Sequence, residues 1–233
     1  MATKKKKDEF DELVYWWLYD SELLTPDKWD VFDEFKTPLT YEDELKVNSE
    51  SAKAKRKAYF TWYFEPMQIT KAEKQRRVKL AECLCDEFIE TMIWLYTFRE
   101  VLDGDEAIAR LNNNYLDAIA EYFTSDFKGI SKNVGKDIAP HIEKFAKEVV
   151  DATVRHIDED RFFSEGRAVL MAQNESTFTF SHEDFTDAIA NGKTKKEWVA
   201  IIDERTRPDH FDVDGTVIDI DDYFLVGGSL MLY

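Results

Sequence analysis

Ala81-Glu-Cys-Leu84-Cys85-Asp-Glu-Phe88-Ile89-Glu-Thr-Met92-Ile93-Trp-Leu-Tyr96 places apolar side chains at i, i+3 and i+4 spacing. That spacing forms one stripe along a helix. It predicts a long helix over 72–102, stopped by Asp103-Gly104-Asp105. A second helix is expected next, with Ile108, Leu111, Tyr115, Ile119 and Tyr122 on one face. The Gly-containing stretch 125–135 leads to a third, with Ile138, Ile142, Phe145, Val149, Ala152 and His156 on a face. Long helices joined by short loops predict an antiparallel bundle. His156 closes an apolar stripe and reads as a helix-end core histidine rather than a ligand.

Working outward toward the N-terminus, residues 49–64 run from a basic cluster (Lys53, Lys55, Arg56, Lys57) into Ala58-Tyr59-Phe60-Thr61-Trp62-Tyr63-Phe64. Aromatic faces beside basic groups can stack on nucleic-acid bases. The commoner meaning is a helix end with a buried aromatic side. Residues 8–20 carry Phe10, Leu13, Val14, Trp16, Trp17 and Leu18 among acids, as a short amphipathic helix does. Between Pro26 and Pro38, residues 27–35 alternate acidic and aromatic side chains. Trp29, Phe32 and Phe35 are candidate docking residues; the competing reading packs them on their own domain. Lys4 to Lys7 precede Asp8 and Glu9 rather than an apolar run, so they form no secretory signal and read as a solvated tail.

Composition limits the function. The chain has 233 residues, 44% of them hydrophobic and 14% aromatic, with a formal charge of −17. So acidic a chain is repelled by nucleic acid at long range. Any contact with packaged DNA must be local. Cys83 and Cys85, two apart on a helix, neither bridge nor share a metal, which suits a reducing compartment. No apolar run approaches the ~20 residues of a membrane span.

The texture changes after residue 160. Ser176-Thr-Phe-Thr-Phe180 alternates like a strand, and Ser181 with Asp184 reads as the cap of a short helix ended by Asn191-Gly192. Trp198-Val-Ala-Ile-Ile202 reads as a buried strand, and Val217 to Phe224 as a half-exposed one. Gly227-Gly228 is a break. The fold class is therefore α+β: a mainly helical region over 1–160, then a small α+β module over 161–233 with a short antiparallel sheet.

The two expected strands bracket Asp203-Glu-Arg205-Thr206-Arg207-Pro-Asp-His210, followed by Asp214-Gly215. Pro208 disfavours helix at Arg207, and Gly215 permits a positive φ. Three readings compete. His210, Asp212, Asp214, Gly215 and Asp221 fall on EF-hand positions, but histidine at the first, Asp at the last and strand flanks argue against calcium. His210 as a base beside Arg205 or Arg207 would suit a metal-dependent nuclease or toxin-like effector, yet no nucleophile motif accompanies it. The structural reading pairs Arg205 and Arg207 with Asp203, Asp209 or Asp214, locking a loop too polar to pack itself. No catalytic residue, metal or other cofactor is expected.

Trp198 to His210, then Asp214-Gly215 and Asp222-Tyr-Phe224, resembles the signature of phage Mu F-like minor head, or head morphogenesis, proteins. Arg167-Ala168 and Asn174-Glu-Ser176 resemble its preceding helix. The resemblance covers about 161–233. Many relatives carry a cysteine pair near the Arg-Thr position; this chain has Arg207 and His210 there, so no zinc site is carried over. The family pattern usually continues past Leu230-Met-Leu-Tyr233, which implies a truncated, processed or short variant. The resemblance implies a non-enzymatic structural protein of a tailed bacteriophage virion. It would be assembled in the host cytoplasm and sit inside the capsid near the portal. Its implied partners are the portal protein and also major capsid or scaffolding protein, with no membrane, and its roles are assembly, DNA packaging or ejection.

Overall fold

The computed structural model describes residues 37–124, 138–200 and 208–231. The helix expected over 8–20, the 27–35 segment with Trp29, Phe32 and Phe35, and the 125–135 loop lie outside the described residues. So do Ile201, Ile202, Asp203, Arg205, Thr206 and Arg207.

The protein is α+β. After the one-turn helix α1 (Glu44–Val47) come α2 (Glu50–Phe64), α3 (Lys71–Phe98), α4 (Gly104–Thr124), α5 (Ala139–Arg155) and α6 (Glu165–Ala190). A small module comes next: β1 (Lys195–Glu197), α7 (Pro208–Val213), β2 (Val217–Asp219), β3 (Phe224–Val226) and β4 (Ser229–Met231).

The apolar stripe of α3 is the centre of the bundle. Leu84, Cys85, Phe88 and Met92 are fully buried. Helix α3 packs against α2, α4 and α6, and α5 packs on α4. Side-chain pairs give the directions. Lys74 reaches Glu65 while Arg56 reaches Asp86, so α2 and α3 run antiparallel. Arg110 meets Glu90 and Asn114 donates to the Glu87 carbonyl, so α3 and α4 do too. Arg77 lies by Thr177 and Tyr96 by Phe163, which sets α6 antiparallel to α3. Phe88 packs on both Tyr115 of α4 and Phe145 of α5, with ring centroids 5.6 Å away in each case. The expected helical register thus holds for all three long helices.

Helix starts obey local chemistry. Thr70 and Glu73 form a capping box at α3. Asp103 belongs to the next helix, since its Oδ1 accepts from the amides of Asp105 and Glu106 at the start of α4. Ser49 caps α2, whose aromatic side is buried through Phe60 and Phe64.

The stretch 176–180 is helical, not a strand, and Ser181 lies inside α6 rather than capping a helix. The cap is Ser164, which accepts from the Arg167 amide at 3.3 Å. Serine and threonine are tolerated here because their hydroxyls find acceptors. Thr177 and Thr179 donate to the carbonyls of Gln173 and Glu175, and Ser176 donates across to the Arg77 carbonyl. Tertiary contacts override the weak helix propensity of this run. Asn191 and Gly192 do end α6. Gly192 (φ 71°) and Lys193 donate to the carbonyls of Ile189 and Ala188, the paired bonds of a Schellman cap.

The sheet differs from expectation in position. Pairing runs through Lys195–Glu197 rather than Trp198–Ile202, with Lys196 opposite Ile218. Val199 and Ala200 leave the ladder after Trp198 exchanges its last bonds with Gly215 and Thr216. The expected strand Val217–Phe224 is two strands in different sheets, separated by a turn in which Asp222 donates to the Asp219 carbonyl. Gly227-Gly228 is the two-residue turn of the β3–β4 hairpin. Both φ values are positive (55° and 84°), as a type I′ turn requires.

Phe88→Ala should cost ~3–5 kcal/mol of stability, because it empties a site between three helices. Leu45→Ala, at a side chain 88% exposed, should change it by under ~0.5 kcal/mol. Urea unfolding monitored by circular dichroism measures both.

Candidate functional site

In the C-terminal module, Trp198 organises the charged stretch. Its ring meets His210 edge-on at 5.5 Å and Phe224 at 5.3 Å. Phe224, Val226, Ile220 and Ala200 are the buried apolar residues of the module among those described. Pro208 does not merely shape a loop: it starts α7, so His210 and Asp212 stand on a helix. Proline suits a first helical turn, where its missing N–H leaves no bond unmade.

Asp214 turns back toward the chain. Its Oδ1 accepts from the Ala200 amide at 2.8 Å, which ties the end of α7 to the residue that precedes the 201–207 stretch. Gly215 is next, with φ 71°, as the sequence requires, and its amide donates to the Trp198 carbonyl at 2.8 Å. Asp209 lies directly against Gly227, where a Cβ would collide with its carboxylate. Of the expected site residues, the structure therefore brings together His210, Asp214 and Gly215 around Trp198. An EF-hand is not formed, because positions His210 to Asp212 are helical. Among the described residues, no three His, Cys, Asp or Glu side chains gather as metal ligands.

A second polar assembly lies along α6. Glu175 is buried and accepts from the Tyr115 hydroxyl at 2.9 Å; the same Oε2 lies 2.7 Å from His141 Nε2. One carboxylate thereby ties α4, α5 and α6. The His141 ring stacks on Phe178 at 3.5 Å. Burial, then the Glu175 carboxylate, pushes the Tyr115 phenol well above its ordinary range. Farther along α6, Phe180 receives Arg76 and Arg77 on its ring, each 5.1 Å from the centroid. Arg76 pairs with Glu183 at 3.5 Å, and Arg77 with Asp184 at 3.6 Å. Burial drives the Glu183 carboxyl up to about 7, against the pull of Arg76. Near α2, the buried Arg56 donates to the Val47 carbonyl, Glu165 and Asp86. It borders a groove of about 270 Å³ with Pro38, Leu39, Val47 and Val169.

These assemblies escape sequence reading because their partners lie up to about a hundred residues apart. The adjacent pairs Arg76-Arg77 and Glu183-Asp184 were the available signal. The basic cluster at 53–57 serves the bundle: Lys53 and Arg56 share Asp86, and Lys57 reaches Glu82. His156 stacks on Phe162 at 4.5 Å and meets Glu159 at 2.7 Å, as a helix-end histidine does. Cys83 and Cys85 are buried thiols, and burial pushes Cys85 well above its usual range.

Comparison with known families bears on this same region. Residues 132–228 match the family model of phage Mu protein F like proteins. Over that span the chain is similar to phage Mu protein F like proteins. The match begins upstream of the expected 161–233 and takes in α5, α6 with Glu175, and the module as far as Gly228. It points to a bacteriophage protein of head morphogenesis. No curated protein and no solved structure matches the chain.

The Glu183 carboxyl titrates near 7 in the folded chain, against 4.5 for an ordinary glutamate. The folded state then holds a proton that the unfolded chain has released. Stability from this group falls as pH rises from about 4.5 through about 7. Glu183→Gln should match the parent at pH 4 and gain on it progressively up to pH 8, read as urea midpoints. Gly227→Ala should speed amide exchange across Leu225–Met231 by ~5–30-fold, the ~1–2 kcal/mol penalty of a non-glycine residue at positive φ.

Proposed function

We propose that the chain is a minor head protein bound to the portal inside the capsid of a tailed phage, acting in head assembly and in DNA packaging or ejection. The observation that carries this reading is the phage Mu F-like match over 132–228. Charge supports a protein partner: at −17 the chain favours basic patches on portal, capsid or scaffolding protein over DNA. DNA then meets it only locally. No helix among the described residues is long and apolar enough to cross a membrane.

We propose that its role is non-catalytic. His210 packs against Trp198, and Asp214 is engaged by the Ala200 amide, an arrangement that positions backbone rather than a reacting group. A metal-dependent nuclease is the competing reading of the same stretch.

Co-expression with the portal protein of the same phage should give a complex that co-elutes in size exclusion. A chain that elutes apart from portal and is missing from virions would sink the reading. With magnesium or manganese, the purified chain should leave plasmid DNA intact. Metal-dependent cleavage abolished by His210→Ala would establish the nuclease instead.

A further inference from the structure

Twelve large apolar side chains stand exposed among the described residues, and six of them fall in the small stretch 195–231: Val199, Phe211, Val217, Tyr223, Leu225 and Leu230. Two share a face by construction. Leu225 and Leu230 are directly paired across the β3–β4 hairpin, so both side chains project from the same side. They are 62% and 70% exposed. Their strand neighbours Phe224 and Val226 point the other way and are buried. The hairpin therefore has one face on the module core and an apolar face toward solvent. A two-stranded hairpin is marginal by itself, so covering that face would stabilise it.

The charge around the face selects what covers it. The described residues of the module, 195–200 and 208–231, carry seven acidic side chains and two lysines. Asp221 and Asp222, immediately before the hairpin, are exposed, as is Asp219 on β2. Burial lowers the Lys196 ammonium, while Asp221 and Asp222 pull it back up, so the nearest base is already drawn into this acidic field. Its ammonium also sits over the Phe185 and Phe224 rings, at 5.1 and 5.5 Å. A second copy of this chain would set the same acids against each other. A nucleic acid or an anionic bilayer would be repelled likewise.

We propose that the Leu225/Leu230 face is a docking surface for another protein of the phage head, one presenting an apolar centre rimmed by lysine or arginine. The proposal rests on the head-protein reading above and adds to it the residues that make the contact and the chemistry of the partner.

The test places a benzophenone amino acid at 225 or 230, with Lys147 on the exposed side of α5 as the control position, in heads assembled from the co-expressed head proteins of the same phage. Adducts are identified by mass spectrometry. The expected result is an adduct from 225 and 230, but not 147, to a head protein beside its basic residues. Leu225→Asp with Leu230→Asp should lower incorporation into heads by at least about tenfold while leaving helical circular dichroism and the urea midpoint of the bundle unchanged. Adducts between copies of this chain, adducts no stronger than at 147, or incorporation unaffected by the double substitution would overturn the proposal. If the adduct partner is a head protein other than portal, the portal reading fails and the surface stands. If portal co-elutes equally with the parent and the double variant, and 225 and 230 give no adduct above that at 147, the surface fails and the portal reading stands.

Discussion

Burying the Glu175 carboxylate is the constraint around which the bundle is arranged. A buried charge without partners is strongly unfavourable, so α4 and α5 must deliver Tyr115 and His141 to the same oxygen of α6. That requirement fixes the rotation of all three helices. Phe88 of α3 then packs on Tyr115 and Phe145, the aromatic neighbours of that hub. Arg56 repeats the solution at the N-terminal end of α6, where Glu165, Asp86 and the Val47 carbonyl converge on one guanidinium. Polar groups specify how the apolar stripes meet, while hydrophobic burial supplies the main driving force.

The module beyond α6 is held differently. Few of its apolar side chains are buried, and Trp198 packs between His210 and Phe224. Backbone bonds do the rest: the Trp198 amide and carbonyl extend the β1–β2 ladder, and Asp214 clamps Ala200. A small core with an acidic surface and an uncovered hairpin face suits the docking role proposed for it.

How much was legible in the sequence depended on whether the signal was local. The stripe from Ala81 to Tyr96 announced α3, because apolar periodicity needs no partner to be read. Asn191-Gly192 marked the end of α6, and Gly215 the turn into β2, because positive φ is a local demand. The run Ser176 to Phe180 misled, because its β-branched and aromatic residues are held helical by Arg77, His141 and the carbonyls of their own helix. Pro208 looked like a loop residue and is a helix start, a distinction set by the helical turn from Asp209 to Val213. In the charged stretch, His210, Asp214 and Gly215 were found from composition, while the Glu175 hub was missed because its three members are spread over sixty residues.

The span that matches phage Mu protein F like proteins runs through both parts, from α5 to the turn of the β3–β4 hairpin. It joins the polar-anchored helix pair to the C-terminal module. The proposed function is a place as much as a role: a head protein seated at the portal vertex, inside the head. The most direct measurement is an asymmetric cryo-electron-microscopy reconstruction of purified procapsids with and without this gene. The account predicts density lost only at the interior face of the portal vertex in the deletion, of a size that accommodates the helical bundle. Identical portal vertices in the two reconstructions, or loss of density at the shell or tail instead, would contradict it.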